Sequence, residues 1–353
     1  MLARMALLSV LARTLPRAPR AGARLVRLSS TERAPPKLAL YTSALCVEHD
    51  AGMGHPESPE RLTSLLALAR GEWATKFGEE LELREPNVDV TDEQLLRVHT
   101  ERHVSRMRAA FATAGSKQAT LSLDADTRVC PSSGAASLRA SGLTVAAVDA
   151  VLADGARTKR AFVMARPPGH HAEPDTAMGF CLFNSIMVGV AHAQAAHGLR
   201  KVALLDFDVH HGNGGQAMCT EHADRFFASS HQSPCYPGSG NRLGTSGVAG
   251  QVLNVPLKPG AGSEQFRTAW ADTILPAMAA FAPEMVFVSA GFDAHEFDPL
   301  ASLFLHEDDY EWVTKKIAET AGGAPIVSYL EGGYEIGALG RSVRAHVKGM
   351  IEA

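Results

Sequence analysis

Short apolar runs punctuate the second half of the chain at 161–165, 202–207, 225–229, 285–289 and 325–330. Each is strand-length and partly β-branched or aromatic. Between them, apolar positions recur at helical spacing over 143–152, 185–197, 266–281 and 308–320. An earlier strand is expected at 37–41, with helices at 59–70 and 91–110 in the mixed stretch that follows. This alternation predicts a mostly parallel sheet covered on both faces, hence a doubly wound α/β domain. Past residue 37 there is no internal repeat, low-complexity segment or Pro/Ser-rich linker, so a single domain over 32–353 is expected. Ligands of such sheets gather at the carboxyl ends of the strands, and four of these runs lead into polar, glycine-containing loops there.

The chain is long enough, at 353 residues with 46% hydrophobic content, to bury a large core as a soluble globular protein. A formal charge of -4 provides no basic field, so nucleic acid is not an expected partner. No apolar stretch reads as long enough to span a bilayer, and no membrane role is expected. The five cysteines form no CxxC pair, which argues against a disulfide framework and against a cysteine zinc site. Residues 1–31 differ in kind: Arg4, Arg13, Arg17, Arg20, Arg24 and Arg27 lie among Leu, Ala and Val, and the first acid is Glu32. That is transit-peptide composition, with cleavage expected near Ser29, Ser30 and Thr31 and the mitochondrion favoured over the plastid.

The chemistry concentrates in four loops. Asp206, Asp208 and His210 alternate at a strand end, which places them on one face while Phe207 and Val209 face the opposite packing layer. With the distant Asp293 they can form an oxygen-and-nitrogen site that leaves a coordination position open, as catalytic zinc requires. The same charges could instead cap the following helix or pair with arginines. His170 and His171 follow the stiff Pro167 and Pro168 and the permissive Gly169, and can supply an acid and a base near neutral pH. Tyr334, after Gly332 and Gly333, can present a phenol to a polarised carbonyl. A Lewis acid, an oxyanion donor and a histidine base together suit water attack on an amide. The Gly212–Gly215 stretch lacks the GKS/T ending and the GxGxxG spacing of nucleotide loops.

The motifs RPPGHH, GFCLFN at 179–184, DFDVHHGNG, YPGSG at 236–240, AGFDAH with DPL at 298–300, and EGGY resemble those of histone deacetylases and bacterial deacetylase-like amidohydrolases. The upstream GHPESPER at 54–61 fits the same pattern, and the resemblance covers roughly 38–350. It implies a single three-layer α/β/α domain of the arginase-deacetylase type, with zinc on Asp208, His210 and Asp293. It further implies His171 as the base that activates water and protonates the leaving amine. His170, held by Asp206, would be its electrostatic partner, and Tyr334 the carbonyl polariser. Asn213, where the class I branch carries aspartate, is the class II-like choice and should leave His171 less basic. Gly179, Phe180 and Tyr236 would line an acyl-lysine tunnel, with Leu300 at its mouth and Arg61 beside an inner acetate channel. Asp206, Asp208, Ser229 and Ser230, with His231, resemble the family's monovalent cation site, implying potassium.

The expected reaction is therefore zinc-dependent removal of acetyl groups from N-ε-acetyl-lysine in proteins or peptides. The nearest rival is hydrolysis of acetylpolyamines or other small acetylamines. Polyamine-selective relatives place an acid at the mouth, where this chain has Leu300, although Glu296 could substitute. The aspartate that grips the substrate backbone in class I members has no clear counterpart in 116–126. A catalytically silent scaffold is the non-enzymatic reading, and the intact ligand set, His pair and Tyr334 weigh against it. A binuclear manganese, arginase-like site needs additional carboxylates that Phe207 and Val209 do not supply.

Overall fold

Nine strands assemble into one sheet whose central strands are buried and apolar, while the edge strands carry polar residues and are partly or fully exposed. The computed structural model describes residues 35–353, and the expected leader lies outside them. In chain order the strands are β1 (Leu38–Tyr41), β2 (Leu81–Arg84), β3 (Leu121–Ser122), β4 (Arg128–Val129), β5 (Arg160–Val163), β6 (Val202–Asp206), β7 (Arg225–Gln232), β8 (Gly244–Ser246), β9 (Val252–Leu257), β10 (Met285–Ala290) and β11 (Ile326–Leu330). The sheet order is β2-β1-β5-β11-β10-β6-β7-β9-β8. All neighbours are parallel except the β8–β9 pair, while β3 and β4 form a separate antiparallel ribbon. Every residue of β6, β10 and β11 is buried, the signature of a parallel sheet with helices on both faces.

The helices Ser133–Leu152 and Ser185–His197 pack on each other, as do Glu307–Thr320 and Ile336–Glu352. Ser185–His197 is bounded as its sequence expects: Asn184 accepts from Met187 N at the start, and Gly198 closes the end at φ 70°. Ser133–Leu152 is long and apolar enough, by length and composition, to cross a membrane, contrary to the sequence reading. Most of it is buried inside the fold, where an apolar surface on all sides has protein to pack against.

The predicted strands appear with shifts of one to three residues, and Arg225–Gln232 runs past the expected 229. Three differences are larger. The expected helix 91–110 is two, Asp92–Leu95 and Glu101–Lys117, because Thr100 begins the second by accepting from His103 N. The 143–152 helix starts at Ser133, its first half written in Ser, Ala and Gly with little periodicity to read. The 266–281 pattern is Ser263–Ala269 and Leu275–Phe281 joined by a π-helical turn over Trp270–Ile274. The edge strands β2 and β8, strand β9 beside β8, and the final helix Ile336–Glu352 were not anticipated.

Four adjacent strands, β5, β11, β10 and β6, hold the functional loops at their carboxyl ends. Chain order is broken here, since β10 and β11 are inserted between β5 and β6, and loops distant in sequence therefore converge on one crevice.

Candidate active site

Asp206 ends β6, and Asp208 and His210 follow on the same side. Phe207 turns away to pack its ring against Trp270, Phe292 and Tyr310, as the alternation requires. Asp293 arrives from the β10 loop, and His210 Nδ1 lies 3.1 Å from both Asp208 Oδ1 and Asp293 Oδ2. Ligand atoms of these three buried residues all fall within 4.8 Å of one another. Main-chain N–H groups hold the carboxylates: Gly332 N donates to Asp208 Oδ2 at 2.8 Å, and Val209 N to Asp293 Oδ1 at 2.9 Å. Burial and the Asp208 charge push the Asp293 carboxyl above its ordinary range. Two buried carboxylates and an imidazole facing one point make a donor set that a divalent cation satisfies, so these residues fit the expected metal.

His170 and His171 follow β5. Burial opposes charge on His170, but Asp208 and Asp206 outweigh it and hold its pKa up at about 10. His170 Nδ1 donates to Asp206 Oδ2 at 3.0 Å. Burial, reinforced by His170 and His210, pushes His171 well below the ordinary imidazole value. The pair thus separates into an imidazolium and a neutral imidazole. Glu331, the residue after β11, accepts from Gly169 N at 2.6 Å and His170 N at 3.1 Å, fixing the histidine backbone.

Tyr334 sits on the β11 loop, its main-chain N–H bonded to Asp298 Oδ2 at 2.7 Å. Burial holds its phenol well above the ordinary value, so it stays a neutral donor. Arg61, fully buried, donates to Gly333 O at 2.6 Å and Glu331 O at 2.5 Å. Its guanidinium lies 4.8 Å from the Tyr334 ring centroid. Glu57 pairs with both Arg61 and Arg166, so the arginine that anchors the loop is itself anchored.

A cavity of about 190 Å³ is lined by Asp126, His171, Gly179, Phe180, His210, Tyr236, Leu300 and Tyr334. Phe180 meets Tyr334 edge-on at 5.8 Å, and Tyr236 meets His171 at 5.0 Å. Gly179 is required: its φ is 56°, and a Cβ there would come within 2.4 Å of His171 Cδ2. The cavity thus collects the residues expected to form the tunnel, with Leu300 more than a third exposed.

Asp126 lines the cavity, a carboxylate from the 116–126 stretch in which the sequence offered no clear counterpart of the class I backbone-gripping aspartate. It is brought to the cavity by the β3–β4 ribbon, whose Thr127 Oγ1 accepts from Phe180 N at 3.2 Å. Asp206 and Ser229 are register partners on β6 and β7, adjacent as expected for a cation site. The hydroxyls there are engaged otherwise: Ser229 with His231 at 2.8 Å, and Ser230 accepting from Trp270 Nε1 at 2.9 Å. Nothing in these side chains favours potassium.

A second group, Asp149, His192 and His197, also brings three ligand atoms within 4.8 Å. Arg97 Nη1 donates to His192 Nδ1 at 3.0 Å, so His192 Nε2 carries the hydrogen it gives to Asp149 at 2.7 Å. A guanidinium behind the ring opposes metal binding at Nε2, and the group is held together by hydrogen bonds to the Asp149 carboxylate.

The histone deacetylase domain family matches residues 55–350. The chain is 40% identical over 297 residues to the histone deacetylase-like amidohydrolase of Pseudomonas aeruginosa, covering 82% of this chain and 74% of that protein. It is 34% identical over 323 residues to histone deacetylase 14, chloroplastic, of Arabidopsis thaliana, covering 88% and 76%. The crystal structure of the HDA15 HD domain superposes with a TM-score of 0.81 at 31% identity, covering 90% of each chain. With the three-layer α/β fold and Asn213 behind His171, these likenesses establish that the chain belongs to the class II-like branch of the histone deacetylase family, a family of deacetylase-type hydrolases.

Proposed function

We propose that the chain is a zinc-dependent deacetylase of N-ε-acetyl-lysine in proteins or peptides. The observation that carries the reading is the cavity of about 190 Å³, which joins the aromatic rings of Phe180 and Tyr236 to His171, His210 and Tyr334 and includes the partly exposed, apolar Leu300. Such a space admits an aliphatic chain with an amide at its tip. Asp208, His210 and Asp293 would hold the metal, which when bound supplies Lewis acidity toward the amide carbonyl and the attacking water. Tyr334 donates to the carbonyl oxygen and stabilises the charge that develops there. Neutral His171 takes the proton from the water and returns it to the departing amine, while His170, kept cationic by Asp208 and Asp206, adds positive field beside it.

Acetylpolyamine hydrolysis is the second reading, favoured by the Asp126 carboxylate at the cavity, which suits a second ammonium as well as a peptide N–H. Acetate release from an acetyl-lysine peptide and from an N-acetylpolyamine, measured side by side on zinc-loaded protein, tests both. The peptide is expected to be the better substrate, and Tyr334→Phe is expected to lower kcat about 10²- to 10³-fold. A polyamine preference would overturn the leading reading, and retention of activity in Tyr334→Phe would remove the phenol from the mechanism. We assign the arginine-rich residues 1–31 to import into the mitochondrion, with the plastid as alternative. Fusion of this segment to a fluorescent protein decides between them.

A further inference from the structure

Asn213 begins the Asn213–Thr220 helix and meets His171 Nδ1 through its Oδ1 at 2.8 Å. Its Nδ2 faces the opposite way, donating to Glu173 Oε1 at 2.8 Å and to the His171 carbonyl at 3.3 Å, with Met178 Sδ at 3.4 Å. All three are acceptors, so the amide nitrogen belongs on that side. The amide oxygen therefore faces the ring, and the hydrogen shared with it sits on His171 Nδ1. The sulfur is a weak acceptor and the carbonyl is distant, which leaves the carboxylate as the strong partner. Among the described residues, Asn213 is the sole hydrogen-bond donor to the Glu173 carboxylate.

We propose that Glu173 is a positioning residue that sets the tautomer of His171. By accepting from Asn213 it keeps the amide oxygen toward the ring, the proton on Nδ1 and the lone pair on Nε2. This rests on the reading of His171 as the base. With the amide reversed, its NH₂ would face Nδ1, the ring would have to accept there, and the proton would move to Nε2, where no base would remain. The backbone offers little escape. Gly214 N donates to His170 O at 3.0 Å, and a Cβ on Gly214 would lie 2.2 Å from Ala172 O, so the helix start is pressed against the histidine segment. The polarity of residue 173 therefore decides which way the amide turns.

Two readouts on the full-length protein test this: the ring ¹⁵N shifts of His171, identified by their loss in His171→Ala, and steady-state kinetics on the acetyl-lysine peptide. Glu173→Gln retains an acceptor and is expected to stay within about threefold of wild type, because a neutral acceptor replaces a charged one. Glu173→Lys replaces acceptor with donor. It is expected to move the His171 proton to Nε2 and to lower kcat about a hundredfold with KM little changed. Adding Asn213→Asp to Glu173→Lys places a carboxylate between ring and ammonium that accepts from both. That double variant is expected to restore the Nδ1–H tautomer and about tenfold of the lost kcat, part of the general-base contribution. A merely structural role for Glu173 predicts no such rescue. The proposal is overturned if Glu173→Lys leaves the proton on Nδ1, or if the double variant is no better than Glu173→Lys alone. A wild-type enzyme inert on the peptide would count against the proposed substrate, while the ¹⁵N shifts would still decide the tautomer.

Discussion

Gly291 and Gly332 leave no room for a β-carbon beside Asp208 and Asp293, the carboxylates proposed to hold the metal. A Cβ on Gly291 would lie 2.0 Å from Asp208 Oδ2, and one on Gly332 would lie 2.0 Å from Asp293 Oδ2 and 2.6 Å from Asp208 Oδ2. The two carboxylates can face one point only because these loops approach as bare backbone. Gly332→Ala should therefore displace Asp293 and Asp208 while leaving the distant core in place. The expected result is a folded protein that binds zinc at least about tenfold more weakly, the range seen when the shell supporting a metal site is disturbed. Metal content after dialysis against a graded chelator, read beside a circular dichroism spectrum, checks it. Full zinc retention would show that the loop can shift without cost.

Among the elements, the Ser133–Leu152 helix shows how small residues serve packing. Its Gly142 faces the strap formed by residues 87–90, and a Cβ there would meet Val88 O at 2.4 Å and Asp89 Cα at 2.8 Å. The strap is tied down by Val90 N to Leu138 O at 3.0 Å and by Arg139 to Asp89 at 2.6 Å and to Asn87 at 2.5 Å. The obstacle at Gly142 is backbone on both sides and cannot rotate away. Although alanine is the better helix former, Gly142→Ala should destabilise the protein by about 1–3 kcal/mol through overpacking. A lower urea midpoint at unchanged m-value is the expected signature, and a stabilised variant would mean that the strap moves freely. This also explains why the helix was read ten residues short: Ser, Gly and Ala at its start are chosen for close approach and carry no apolar period.

For the whole molecule, the buried histidines make stability depend on pH. His346 lies in the core against Phe162, Phe207 and Phe292, with Thr314 Oγ1 at 2.7 Å and Ser328 Oγ at 2.9 Å on its two nitrogens. Thr314 gives its own hydrogen to Tyr310 O, so the ring donates to Thr314 and accepts from Ser328 as a neutral imidazole. Burial lowers its pKa to about 3 from an ordinary 6.5. Since the folded value is the depressed one, the unfolded chain binds the extra proton between these limits. The stabilisation is complete above pH 6.5 and is lost as pH falls toward 3. His346→Gln removes this dependence, and other titrating groups cancel in the comparison. The stability gap between wild type and variant should shrink by about 1.4 kcal/mol per pH unit from pH 6 to 4. Urea melts at several pH values measure it, and a constant gap would show that the buried ring accepts its proton in the folded state.

The fold class, and the clustering of Asp208, His210 and Asp293 with the histidine pair and Tyr334 close by, were legible because each loop carries its polar residues in a few consecutive positions after an apolar strand. Period-two alternation alone placed Asp206, Asp208 and His210 on one face and Phe207 on the other. What orients these groups was not legible. The pairing of Glu57 with Arg61 and Arg166 behind the tyrosine loop, the hold of Glu331 on the histidine backbone, Asp126 at the cavity and Glu173 behind Asn213 could not be read from the sequence. Their partners are set by strand order, since inserting β10 and β11 between β5 and β6 decides which distant loops meet. The sequence by itself determined which side chains can bind, donate or accept. The tertiary structure alone decided which of them face one another and hence which atom holds each proton, because hydrogen-bond direction and burial depend on neighbours that no local pattern encodes.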